Sequence, residues 1–228
     1  MQKIAVLLAA SSLALAACAG PAIAAEEPVA APAATRVAKE PAGLKTAVFA
    51  GGCFWGVEGV FSHVKGVKSA VSGYHGGTQK SASYDLVSSG ITDHAEAVKI
   101  TYDPAVVRYD QLLRIFFSVV ADPTLKNRQG PDVGTQYRSA IVPMNAEQSA
   151  VAKAYLAQLG KSGLWGSKPI ATKIEPYKAF YAAEAYHQDF MLANPTHGYI
   201  RRWDAPKVAA LKRMYPGVYR PTFLKDAK

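Results

Sequence analysis

Cys53 is a lone thiol placed where the backbone could activate it. It follows Gly51-Gly52 and the apolar run Ala47-Val48-Phe49-Ala50, and it precedes Phe54-Trp55. That order predicts a strand, a tight glycine turn and the first turn of a helix. A thiol at such a point meets unpaired backbone N–H groups and the positive end of the helix dipole, both of which favour thiolate. The only other cysteine is Cys18, close to the amino terminus. If Cys18 is lipidated or removed, Cys53 has no partner in its own chain: it is either an inert buried residue or one kept for its reactivity.

The second group is Glu96. On a strand over Ala95–Tyr102, His94, Glu96, Val98 and Ile100 share one face, which puts a carboxylate on the apolar side. Burial raises a carboxyl pKa, so Glu96 there could act as a proton donor near neutral pH. A register shifted by one, or a place at the wet end of the strand, would leave it without that role. The third group lies in the long stretch Gly130-Pro131-Asp132-Val133-Gly134-Thr135-Gln136-Tyr137-Arg138-Ser139. Loops of this length are often functional. Taken singly, Asp132 is as consistent with an Asx turn and Tyr137 with packing. Phe54 and Trp55 flank the thiol and read as core or as pocket wall. His63, His75, His94, His187 and His197 show no ligand spacing, so no metal and no cofactor are expected. Gly51-Gly52 and Gly76-Gly77 lack the pattern of a phosphate loop or dinucleotide fingerprint.

These residues must be held by one domain. The chain has 228 residues, half of them apolar, and a formal charge of +9. Its Lys and Arg residues are scattered, with no dense run beyond Arg201-Arg202 and Lys212-Arg213, so nothing marks a nucleic-acid surface. Residues 1–17 read as a secretory signal: Lys3, then an apolar stretch too short to be a good spanning helix. The stretch ends Leu15-Ala16-Ala17-Cys18, similar to a bacterial lipobox, which implies lipidation of Cys18. Ala19 rather than aspartate after it implies the outer membrane. Cleavage after Ala22-Ile23-Ala24, giving a soluble periplasmic protein, is the alternative. Residues 18–43 are rich in Ala, Pro and Glu and read as a flexible tether. The folded domain is expected over 44–205, followed by a basic, irregular tail over 206–228.

Within the domain, strands are predicted at Thr46–Ala50, Gly66–Gly73, Ala95–Tyr102, Tyr137–Pro143 and Ile170–Ile174. Helices are predicted at Trp55–Val64, Tyr109–Val120, Ala146–Leu159 and Ala182–Leu192, with Tyr84–Ser88 a short helix or turn. Asn145 is the expected cap of the third helix, with Gln148 in the capping-box position. His187 and Asp189 are expected on a solvated or locally bonded face of the fourth. Strand pairs without an intervening helix favour an α+β two-layer sandwich over a doubly wound parallel sheet.

Three blocks, taken together and in order, resemble a known family. Gly52-Cys53-Phe54-Trp55-Gly56-Val57-Glu58, His94-Ala95-Glu96-Ala97-Val98 and Asp132-Val133-Gly134-Thr135-Gln136-Tyr137-Arg138-Ser139 are similar to the signature blocks of A-type peptide methionine sulfoxide reductases. Tyr186-His187-Gln188 resembles a weaker fourth block. The resemblance covers about Leu44 to Trp203. It implies a ferredoxin-like core with extensions, and reduction of methionine-S-sulfoxide, free or in proteins. By resemblance Cys53 is the nucleophile and Glu96 the acid that protonates the sulfoxide oxygen. Tyr84 and Tyr137 are hydroxyls on that oxygen, Asp132 belongs to the same polar network, and Phe54 and Trp55 form the wall for the S-methyl group. Many members carry resolving cysteines near the carboxyl end, and this chain has none. The sulfenic acid is therefore expected to be reduced by an external thiol or a thioredoxin-like protein. A one-cysteine peroxidase is the rival reading among enzymes; outside them the rival is a thiol-based redox sensor or a module binding methionine-rich partners.

Overall fold

The computed structural model describes residues 27–225. The expected signal and Cys18 lie outside them. Strands β1 (Lys45–Gly51), β2 (Val67–His75), β3 (Ala95–Tyr102) and β6 (Ser139–Val142) form the centre of a six-stranded sheet, with β7 (Lys173–Ile174) and β8 (Phe180–Ala182) at its edges. The spatial order is β7-β6-β1-β3-β2-β8, with every neighbouring pair antiparallel except β6–β7. Helix α1 (Phe54–Ser62) joins β1 to β2, and α3 (Tyr109–Ile115) follows β3 on the way to β6. Two β-α-β units, interleaved so that β1 and β3 sit side by side, are the ferredoxin-like arrangement that was expected.

The helices cover one sheet face. Phe49, Val98, Ile100 and Tyr102 point into a core with Val57, Val60 and Phe61 of α1, Leu112 and Leu113 of α3, and Val151 and Tyr155 of α4 (Ala146–Lys161). The other face carries small residues, Val48, Ala50, Ala95, Ala97, Ala140 and Val142, closed in part by Met144 and Phe180. The alternation along β3 therefore has the predicted register, and Glu96 is on the helix-covered face, 2 % exposed. Asn145 does cap α4, its Oδ1 accepting from the Gln148 N–H at 2.9 Å. The Gln148 side chain turns inward instead of completing a box, accepting from the Met144 N–H and donating to Thr46 O and the Tyr102 hydroxyl.

Three expectations need correction. Residues 27–42 are not a free tether. They lie along α3 and α4: Ala31 and Ala38 are buried, Val29 N–H donates to Ser118 O, Ala38 N–H to Asp110, Arg36 pairs with Glu147, and the Tyr155 hydroxyl donates to Pro32 O. An Ala- and Pro-rich strap has no period of its own, yet its backbone groups and small side chains fit a groove between helices. The first part of the tail, residues 206–214, is not irregular either. Helix α6 (Ala205–Met214) buries Ala210 and Leu211, with Lys212 and Arg213 in the last turn, where cations suit the dipole. Beyond it Tyr219 bridges to Val64.

The predicted helix Ala182–Leu192 does not form. Its place is taken by β8, a 3₁₀ turn at Ala185–His187, and the short α5 (Phe190–Ala193), separated by Asp189 in the left-handed region at φ 54°. Tertiary partners for its polar side chains outweigh helix propensity. Glu184 accepts from the Tyr74 hydroxyl and the Tyr84 N–H, and Gln188 exchanges bonds with the backbone of Ser72. His187 is buried rather than solvated.

Candidate active site

The thiol sits where β1 hands over to α1. Gly52 makes that turn at φ 85°, and a Cβ there would lie 2.7 Å from Gln129 Cβ. Gln129 belongs to β4 (Arg128–Gln129), which pairs with β5 (Asp132–Val133); its side chain is bonded twice to the backbone of Asp122. One glutamine thus ties the Cys53 turn to the hairpin that carries Asp132. Cys53 occupies the N-cap position of α1, with 8 % of its surface open.

Glu96 reaches the same point from the sheet. Its Oε2 accepts from the Phe54 N–H at 2.9 Å, so the first free donor of α1 holds the carboxyl group beside the thiol. Burial, and after it the nearby Asp132 and Asp204, push its pKa up to about 8, against the downward pull of that N–H. Tyr84, at the start of α2 (Tyr84–Ser88), and Tyr137, ending a 3₁₀ turn at Thr135–Tyr137, converge on this pair. Ionisation of each is disfavoured first by burial and then by the charges of Glu96, Cys53 and Asp132. Glu184 fixes Tyr84 by its N–H. Tyr137 is fixed by its neighbours: Gln136 donates to Ser88 O, and Arg138 makes a two-point pair with Glu175 at 2.8 and 3.1 Å. The other four polar residues expected at the site, Glu96, Tyr84, Asp132 and Tyr137, are therefore gathered around Cys53.

The expectation for the resting thiol is corrected. Burial pushes the Cys53 pKa well above its ordinary value, and the charges of Glu96, Asp204 and Asp132 add to this; the Trp55 N–H pulls the other way and does not prevail. One free backbone donor is outweighed by loss of water and three carboxyl groups. The free protein thus holds a neutral thiol beside a neutral Glu96 at pH 7.

Trp55 and Phe54 differ in place. The half-buried Trp55 ring stacks on Phe190 at 3.8 Å, meets the edges of His197 and Tyr199, and donates from Nε1 to His187 Nδ1 at 3.1 Å. Burial lowers the His187 pKa, in keeping with a neutral ring that accepts at Nδ1. Phe54 is fully buried, packed on Tyr74 and His187.

Sequence reasoning missed Tyr199 and Asp204, which lie against the carboxyl groups of the site. Tyr199 donates a hydrogen bond to Asp132 Oδ2. Asp204, fully buried, pairs with Lys207, Nζ to Oδ1, at 3.4 Å. Asp204 closes a π-helical turn, Ile200–Asp204, that continues into α6, where Pro206 is tolerated in the first α-helical turn. A cavity of about 500 Å³ adjoins these residues, walled in part by Tyr199, Trp203, Lys207 and Trp165.

The sequence pattern of the peptide methionine sulfoxide reductase family matches residues 45–217, which span both the site and α6. The chain belongs to that family. A relative from Mesorhizobium japonicum named peptide methionine sulfoxide reductase MsrA 2 is 56% identical over 181 residues, 79% of this chain and 92% of its own. One from Synechocystis with the same name is 53% identical over 173 residues, 76% of this chain and 80% of its own. Among solved structures, reduced Mxr1 from Saccharomyces cerevisiae aligns with a TM-score of 0.60 at 36% identity, covering 71% of this chain and 92% of that one. Methionine sulfoxide reductase A of Corynebacterium diphtheriae aligns at 0.57 and 31%, covering 77% and 86%. Within this reductase family, the three blocks read from the sequence are the three segments that meet at Cys53.

Proposed function

We propose that this protein reduces methionine-S-sulfoxide, free or within proteins, to methionine, with Cys53 as nucleophile and Glu96 as proton donor. The observation that carries the reading is the buried Glu96 carboxyl, held by the Phe54 N–H next to the only cysteine among the described residues. A sulfoxide sulfur is a poor electrophile until its oxygen gains a proton, and a carboxyl group with a pKa of about 8 carries one at neutral pH. The Tyr84 and Tyr137 hydroxyls, kept protonated, are donors for the same oxygen. Trp55 supplies an aromatic wall for the S-methyl group, with Phe54 packed behind it. The epimer that places oxygen against that wall loses its hydrogen bonds, which makes the wall the basis of stereoselection.

In the step itself the Cys53 sulfur bonds to the sulfoxide sulfur while the sulfoxide oxygen takes the Glu96 proton. Transfer of that hydroxyl to Cys53 releases the sulfide and leaves Cys53 as sulfenic acid. No second described cysteine can resolve it, so an external thiol or thioredoxin-like protein reduces it. The location follows from the amino-terminal reading: an exported protein anchored through a lipid on Cys18, repairing oxidised envelope proteins. The mass of the mature amino terminus tests the anchor, and a chain beginning at Ala25 refutes it.

The reaction is tested by mixing reduced protein with methionine sulfoxide and no reductant. The reading expects close to one methionine per protein and one trappable sulfenate at Cys53, with none from Cys53→Ser. Release of no methionine, or a sulfenate formed with peroxide alone, contradicts it.

A further inference from the structure

The proposed reaction leaves one proton unassigned. Cys53 rests as a thiol and must lose its proton to attack, yet Glu96 enters the step already protonated and cannot receive it. A second acceptor has to lie nearby.

Asp204 has the form of one. It is the last residue of a π-helical turn, Ile200–Asp204, that runs straight into α6, and its side chain makes no capping bond. The carboxyl group turns instead under the first turn of α1. A Cβ on Gly56, three residues after Cys53, would lie 2.2 Å from Asp204 Oδ1 and 3.1 Å from Lys207 Nζ. Glycine at that position leaves the space that the pair fills. Oδ1 is held by Lys207, whereas Oδ2 is buried with no hydrogen-bond partner among the described residues. Leaving a buried acceptor unsatisfied is costly, and a group kept in that state is a candidate for a role in the chemistry. Asp132 is a weaker acceptor, because its Oδ2 already accepts a hydrogen bond from the Tyr199 hydroxyl.

The geometry points to Asp204 as the acceptor of the Cys53 proton, with Lys207 as the positioning residue that keeps its carboxylate charged. This rests on the reductase reading above. The thiol S–H bond breaks and its proton passes to the Asp204 carboxylate. Cys53 sulfur then bonds to the sulfoxide sulfur, and Glu96 gives its own proton to the oxygen. After the sulfide leaves and the sulfenic acid forms, the Asp204 proton replaces the one that Glu96 lost. The sulfoxide is the only oxidant, and protons balance over the turnover.

The groups facing Asp204 agree with the assignment. Those close enough to interact with it electrostatically are Cys53 at the head of α1, Glu96 on β3, Asp132 on β5, Tyr199 before α6 and Lys207 within it. Burial raises the Asp204 pKa to about 6, with Lys207 opposing the rise, whereas Glu96 lies near 8. At neutral pH one carboxyl group beside the thiol therefore lacks a proton while the other holds one, the separation that marks an acid and a base.

The test is the rate of methionine release in a single turnover of the reduced full-length protein, without reductant, between about pH 5 and 9. Wild type should show an acidic limb near the Asp204 pKa and an alkaline limb near that of Glu96. Asp204→Asn should release methionine about 10²-fold more slowly and lose the acidic limb while keeping the alkaline one. Lys207→Met should keep both limbs, the acidic one moved to higher pH. An Asp204→Asn protein as fast as wild type, or faster, overturns the assignment, because removing a charge that merely repelled the thiolate would speed the reaction. If Asp204→Asn does not fold, an unmoved acidic limb in Lys207→Met overturns it alone. Wild type that releases no methionine fails at the reductase reading itself, and this inference falls with it.

Discussion

Glu96 gains its chemistry and costs the fold something by the same burial. Its pKa rises from the ordinary carboxylate value to about 8, so the folded state binds a proton that the unfolded chain releases. The stability that this proton confers is fully present below the unfolded pKa and is lost as pH climbs through about 8. Glu96→Gln removes that dependence while keeping an acceptor for the Phe54 N–H. The variant is therefore expected to melt above wild type in alkaline buffer, with the advantage vanishing in acid. Thermal unfolding followed by circular dichroism at both extremes checks it; parallel curves for the two proteins at every pH would contradict the burial argument. Glu96 was legible in the sequence because a carboxylate on the apolar face of an alternating strand is an anomaly. Asp204 was not, since its burial depends on α6 folding back under α1. The neutral state of Cys53 was hidden for the same reason: a thiol at a helix start reads as activated until the carboxyl groups around it are known.

At the level of elements, the site is a junction between β1 and α1 braced by the β4–β5 hairpin. Gly52 is the pivot, with a positive φ and Gln129 packed where a Cβ would go. Gly52→Ala combines that clash with a left-handed backbone costing about 1–2 kcal/mol. It is expected to lower the urea midpoint accordingly and to suppress methionine release further than unfolding explains, because Cys53 moves relative to Glu96. Retention of wild-type release in the folded variant would show that the junction tolerates displacement. Strong periodicity made β1, β3, α3 and α4 readable. The segment after β8 was misread as one helix because its polar residues, Glu184 and Gln188, spend their hydrogen bonds on Tyr74, Tyr84 and Ser72 rather than on solvent. No local pattern announces such partners.

For the whole molecule, the amino-terminal strap changes the picture of how the domain is carried. Residues 27–42 pack on α3 and α4, bonded to Asp110, Glu147 and Ser118, and the residues gathered at Cys53 are not among these partners. Deleting them is expected to lower the melting temperature and leave the single-turnover rate of the folded protein unchanged; a lost rate with an unchanged melting temperature would contradict this separation. If Cys18 is the proposed anchor, the eight residues 19–26 would span at most about 30 Å, and the domain would stay close to the membrane surface. The two-layer architecture itself was readable from the order of strands and helices. The docking of strap and α6 was not, because each is stabilised by contacts with distant parts of the chain.

The central claim is that a dry, protonated Glu96 hands its proton to the oxygen as Cys53 attacks. It is tested most directly by the pH dependence of sulfenate formation at Cys53 in single turnovers of wild type and Glu96→Gln. Wild type should slow as pH rises through about 8, where Glu96 gives up its proton, and the variant should be slower by about 10²-fold or more with that alkaline fall gone. A Glu96→Gln protein with the wild-type rate and the wild-type pH profile would contradict the account.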